Sequence, residues 1–222
     1  HLAPEVSGHL HVNLFPEPYA GDIRSAPVVI LMKNPGFHQR LYEEHASPAY
    51  LEAMRRNLEQ RHDAGERRLF WFRPEFIMHG GFQYFGARFA PLLREGDSPQ
   101  AALDALDRTV CVVQMTGYTS QASPSGLDRL PSTQAVFRWL REEVLPSVRM
   151  GHRALVIARA KREWTPHLKG PHPTWEDARK ALPSDRVCEE TTRIPSFDPA
   201  RKGAGELVSR WMKRVVGSSR QG

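Results

Sequence analysis

Three stretches of the chain carry apolar residues back to back: Val28-Val29-Ile30-Leu31-Met32, Val110-Cys111-Val112-Val113 and Ala154-Leu155-Val156-Ile157-Ala158. None alternates with polar positions, and each is short, so each predicts a strand covered on both faces. A fourth strand is predicted near Arg186–Glu190. Between the strands the apolar period lengthens. Ser47 and Pro48 open a helix with Leu51, Met54 and Leu58 at helical spacing, and Ser98-Pro99 opens another with Leu103 and Leu106. Ser132, after Pro131, caps a helix carrying Val136, Phe137, Leu140 and Val144. A short helix follows from Thr174, and a last one spans roughly Ala204–Val216 with Leu207, Val208, Trp211 and Val215 inward. Buried strands alternating with helices predict an α/β fold: a three-layer α/β/α sandwich around a central, mostly parallel four-stranded sheet.

In such a sheet the loops after the strands converge on one edge, where ligands sit. The first strand stops at Asn34-Pro35-Gly36-Phe37, because proline cannot donate to a ladder and glycine tolerates turns that other residues do not. An ordinary strand-to-helix connection explains that tripeptide equally well. The edge as a whole gathers Asn34, Phe37, Gln114, Tyr118, Arg159, Lys161, Arg193, Ser196 and Asp198. Residues 69–93 add Phe70, Trp71, Phe72, Phe76, Phe82, Tyr84, Phe85 and Phe89, with Pro74 and Gly80-Gly81 arguing against one long helix. They form either a satellite core beneath a long connection or an aromatic wall on which a base stacks. Arg55, Arg56, Arg61, Arg67 and Arg68 read as a solvated face, with phosphate contact as the alternative. His9-x-His11 has chelating spacing but no third ligand in view.

A chain of 222 residues buries one substantial core, so 1–222 is expected to be one domain, with an aromatic-rich excursion at about 66–96 and a frayed tail at 217–222. Lys plus Arg number 31 against 25 Asp plus Glu, a net charge of +6, which suits a polyanionic partner. The two cysteines, Cys111 and Cys188, cannot build a disulfide framework or a zinc site alone, and read as buried thiols. With no membrane-length apolar run and no signal-peptide pattern, the expectation is a cytoplasmic, monomeric protein without a cofactor.

The ordered motifs Pro18-x-x-Gly21, apolar strand, Asn34-Pro35-Gly36-Phe37, aromatic segment, Gly117-Tyr118-Thr119-Ser120, Leu130-Pro131-Ser132 and Pro195-Ser196 resemble the uracil-DNA glycosylase superfamily. The likeness is to the branches with an Asn-Pro-Gly first motif. It covers most of the chain as spaced short motifs, and implies an enzyme that flips one nucleotide out of double-stranded DNA and hydrolyses its N-glycosidic bond, leaving an abasic site. By resemblance Asn34 holds the attacking water, and the amides of Gly36 and Phe37 carry charge on the leaving base. Gln114, Gly117, Tyr118, Thr119 and Ser120 complete the base pocket, with Phe37 or Tyr118 stacking on the flipped ring. Ser132, Arg159, Lys161, Arg193, Ser196, Arg201 and Lys202 meet the DNA, and Phe197 lies in the turn that fills the vacated stack.

The departures from the superfamily are informative. Ile194 precedes Pro195-Ser196 where many members have histidine, and Gln114-Met115-Thr116-Gly117 replaces a short asparagine motif that reads uracil. Small, hydroxyl-bearing neighbours of Gly117 suit a base with a polar substituent. The resemblance therefore extends to the antiphage branch that removes glucosylated hydroxymethylcytosine, with Asp198 as the candidate acid for the departing base. The alternatives are a uracil-DNA glycosylase of base-excision repair, a non-catalytic DNA-binding member of the fold, and an enzyme of free nucleosides.

Overall fold

The computed structural model describes residues 10–121, 126–190 and 197–219. Arg193, Ser196 and His9 lie outside the described residues. The described chain builds one five-stranded mixed sheet. Strands β1 (Tyr19–Ala20), β2 (Val28–Met32), β3 (Val110–Gln114), β4 (Ala154–Ile157) and β5 (Val187–Glu189) lie in the order β1-β3-β2-β4-β5. The four expected strands are all present and mutually parallel, with Val28 opposite both Val110 and Ala154, and Leu155 opposite Val187. The expected count of four is corrected by β1, which pairs antiparallel with β3 at the edge. Two residues are too few to display a period, and the prolines at 16 and 18 hid this strand inside an irregular lead-in.

Alternate residues of every central strand enter different cores. Val28, Ile30, Met32, Val110, Val112, Ala154 and Val156 face one side; Val29, Leu31, Cys111, Val113, Leu155 and Ile157 face the other. The helices follow the same division. Helix α1 (Leu41–Ala46) leads into α2 (Pro48–Leu58), and α2, α3 (Gly80–Leu93), α4 (Pro99–Thr109) and α9 (Ala204–Ser219) supply the first core. Helices α5 (Pro131–Trp139), α6 (Leu145–Arg149), α7 (Lys161–Leu168) and α8 (Trp175–Lys180) supply the second. A π-helical turn, Leu140–Val144, joins α5 to α6.

Helix starts follow local chemistry. Ser47 accepts from the Tyr50 amide, Ser98 from Ala101 and Thr174 from Asp177. Ser132 does not cap α5: Leu130 occupies that position, Pro131 opens the helix, and Ser132 sits exposed in its first turn. Residues 69–93 form two short 3-10 turns and α3, and Phe70, Trp71, Phe72, Phe76, Phe85 and Phe89 are buried in the first core. The glycine pair opens α3 instead of breaking it. A Cβ on Gly80 would lie 2.1 Å from His38 Nε2, and one on Gly81 2.5 Å from Trp71 Cδ1, so only glycine lets this helix end approach so closely.

The arginine cluster is engaged with acids: Arg56 with Asp63 and Glu66, Arg67 with Asp104, and Arg68 with Asp22. Both cysteines are free. Cys111 is buried, but Cys188 is only partly so, against expectation. Burial pushes the Cys111 thiol up to about 12, and burial with the nearby Glu190 does the same for Cys188. No described helix is long and apolar enough to cross a membrane.

Candidate functional site

The four parallel strands end at one edge, and there the first face of the sheet opens into a cleft of about 580 Å³. Its lining includes Asn34, Pro35, Gly36 and Phe37 from beyond β2, Gln114 from the end of β3 and Arg159 from beyond β4. The lining also includes Glu17, Glu44, Tyr50, Trp71, Tyr84 and Phe85.

Asn34 is held in one orientation. Its Nδ2 donates to Ser120 Oγ at 2.7 Å and to the Pro35 carbonyl at 2.9 Å. Both amide hydrogens are thereby used, and Oδ1 has no partner among the described residues, which leaves an acceptor for something that enters the cleft. The backbone of Ser120 sets the next residues. Ser120 N donates to the Pro35 carbonyl at 3.3 Å, and Phe37 N donates to the Ser120 carbonyl at 3.0 Å. This one-residue parallel bridge occupies the Phe37 amide, which corrects its expected role as a donor to the base. The Gly36 amide, bridged but not hydrogen-bonded among the described residues, remains open. The Phe37 ring stacks on His11 at 3.9 Å between centroids.

Gln114 is 5 % exposed, and its side-chain amide makes no hydrogen bond among the described residues. Glu17 and Glu44 line the same cleft, with side chains 11 % and 6 % exposed. Trp71 Nε1 and Tyr50 Oη each donate to Glu17 at 3.3 Å, and His45 Nε2 lies 3.3 Å from it. The Gly80 amide donates to Glu44 at 3.0 Å, so that carboxylate caps the start of α3. Burial, with the charges of Glu17 and Glu44, holds the Tyr50 phenol well above its ordinary range. Burial also lowers His79, which packs on Tyr50 at 4.6 Å between centroids. Trp71 stacks on Phe85 at 4.2 Å, so the aromatic segment is both core and cleft wall.

The remaining sequence-predicted residues sit elsewhere. Gly117, Tyr118 and Thr119 do not line the cleft. A Cβ on Gly117 would lie 2.7 Å from Pro18 N, Tyr118 packs on the second core, and Thr119 is buried behind the loop. Gly117 accepts from the Glu17 amide at 2.9 Å, and so acts on the cleft by fixing the segment that carries Glu17. Asp198 is absent from the lining: its carboxylate accepts from the Ala200 amide at 3.0 Å and faces Arg201 at 3.4 Å, both local contacts within its own turn. Phe197 is corrected outright. It is 2 % exposed and packs on Phe89 at 4.7 Å, so it cannot enter a DNA stack. Lys161 is paired with Glu189 at 2.5 Å, while Arg201 and Lys202 are exposed beside the last turn. Arg159 lines the cleft with no ion pair among the described residues, and Arg40, which sequence reasoning missed, does the same.

No family model, curated protein or solved structure matches this chain. Among the described residues, no three His, Cys, Asp or Glu side chains are grouped to hold a metal ion. The signal for Glu44 and His45 was present but unused: Leu41, Glu44 and His45 follow i, i+3, i+4 spacing, which puts all three on the buried side of α1.

Proposed function

We propose that the protein is a DNA glycosylase with the three-layer sandwich of the uracil-DNA glycosylase type, acting on a modified pyrimidine, with glucosylated hydroxymethylcytosine as the substrate class. The observation that carries this reading is the pinned Asn34, which lines a cleft at the carboxyl edge of a parallel sheet and whose Oδ1 has no partner among the described residues. The flipped nucleotide enters the cleft while its neighbours stay in the duplex. Asn34 Oδ1 accepts a hydrogen bond from one water and holds it against the anomeric carbon. The glycosidic bond breaks first, with its electron pair leaving on the base. An amide oxygen is a poor proton acceptor, so it suits an electrophile that has already formed. The water oxygen then bonds to the sugar, and the proton it sheds balances the charge on the departed base. The Gly36 amide is the open donor for that base. Arg40 and Arg159, unpaired at the lining, meet the flanking phosphates.

The size of the cleft supports a substituted base, since about 300–1,000 Å³ is the range that encloses drug-sized ligands and a bare pyrimidine is far smaller. The test is base release from duplexes carrying uracil, hydroxymethylcytosine or its glucosylated form, read as alkali-dependent strand scission. Scission at the glucosylated base supports the reading. Scission at uracil alone turns it to repair, and intact strands on all three overturn it.

A further inference from the structure

The cleft encloses two carboxylates in a chain that is basic as a whole. The protein carries a net charge of +6, and the lining places Glu17 and Glu44, with side chains mostly out of solvent, beside the cations Arg40 and Arg159. Trp71 Nε1 and the Gly80 amide are donors only, so both carboxyls serve as acceptors here. Burying such groups is costly, and matched apolar residues would serve packing alone at least as well. Gln114 adds an independent observation. It is more than nine-tenths buried, lines the same cleft, and its Oε1 has no partner among the described residues. A buried acceptor left in that state is destabilising, and a donor from a bound molecule would recover the loss.

Resting on the glycosylase reading for the identity of the ligand as a nucleobase, we infer that this wall is a subsite for a base edge that presents hydrogen-bond donors, the amino-bearing edge of a cytosine-type base, read by Glu44 and Glu17 together with Gln114. The two pyrimidine edges differ in sense. Cytosine offers an exocyclic amine beside an acceptor ring nitrogen, whereas uracil offers a carbonyl oxygen beside a ring N–H. A carboxylate facing the amine accepts its hydrogen. Facing the uracil carbonyl, it opposes one acceptor to another. Gln114 turns its amide to suit either ring nitrogen, so the carboxylates, which cannot, decide the sign. Of the two, Glu44 has the freer oxygen among the described residues: Oε1 takes the Gly80 amide, while Oε2 faces His38 Nε2 at 3.7 Å. The same acids repel phosphate, which stays at Arg40 and Arg159.

The test uses the whole protein and two free nucleosides, 2′-deoxycytidine and 2′-deoxyuridine, titrated by calorimetry or by chemical-shift change. The wild type is expected to hold deoxycytidine about tenfold or more tighter than deoxyuridine. Glu44→Gln keeps an acceptor for the Gly80 amide while adding a donor, and is expected to collapse that ratio; Glu17→Gln lowers it less. A purely structural role would weaken both nucleosides equally and leave the ratio unchanged, which overturns the inference. Equal binding, a preference for deoxyuridine, or no binding of either by the wild type overturns it as well. Base release from DNA separates the two levels. Selective binding without scission fails the glycosylase reading alone, and scission without selectivity fails this inference alone.

Discussion

The two faces of the sheet are made from the same strands but finished differently. On the second face Phe137, Leu140, Trp164, Leu168 and Trp175 close over Val29, Leu31 and Ile157, and the polar atoms buried there, Thr133 Oγ1 and Trp164 Nε1, lie away from the cleft. On the first face the apolar cover stops short of the strand tips, and Glu44, His45 and Gln114 are buried there, with Glu17 half-buried beside them. A core completed by apolar groups is the cheaper solution, and polar groups buried beside an opening are the reason the proposed ligand site is put on the first face.

That contrast predicts different responses on the two faces. The largest effect on stability belongs to the closed face. Phe137 is fully buried, with His167 stacked on its ring at 3.8 Å, and Phe137→Ala should cost about 3–5 kcal/mol in denaturant unfolding while leaving base release per folded molecule unchanged. Gly81→Ala should do the reverse. The new methyl meets Trp71, whose ring must move; stability falls by about 1–3 kcal/mol, and base release falls further than the folded fraction does, because Trp71 holds Glu17.

The faces should respond alike to mild acid. Burial holds His79 on the first face and His167 on the second below the ordinary imidazole value of 6.5. The unfolded chain then binds protons that the folded chain refuses. Stability is full above about pH 6.5 and declines as pH falls toward the lowered folded values. Unfolding midpoints measured between about pH 7 and pH 5 should show this decline, with a shallower slope in His79→Gln and in His167→Gln. The smallest effect is at the rim. Burial raises Glu163, but the hydrogen bond and charge of Lys33 outweigh it and hold that carboxyl below its usual range. Glu163 is largely exposed, so Glu163→Gln should cost under about 1 kcal/mol at neutral pH, and nothing once the pH falls below the lowered folded value.

The buried strands were legible because continuous apolar runs have few other solutions, and the capping serines and threonine because their bonding is local. Residues 69–93 are not one long helix, as expected, but the helix opening at Gly80 was not legible because its cause is distant: the glycines are required by His38 and Trp71, more than 40 and about 10 residues away in the numbering, and spacing along the chain does not record such contacts. Asn34, Gly36, Phe37, Gln114 and Arg159 line the cleft because strand ends define that edge. Glu17 and Glu44 were missed because a charged residue in a proline-rich segment, or on a short helix, reads as solvated until the fold encloses it. Phe197 and Asp198 were assigned to the site through a motif, and the fold instead uses one as core and the other within a turn.

The most direct measurement of the central claim is Asn34→Ala assayed side by side for duplex binding and for alkali-dependent scission at glucosylated hydroxymethylcytosine. Scission reduced about 10²–10⁴-fold with binding within a few-fold of wild type is the predicted result. Scission at the wild-type rate in the variant would contradict it, because the water held by Asn34 would then play no part in the reaction.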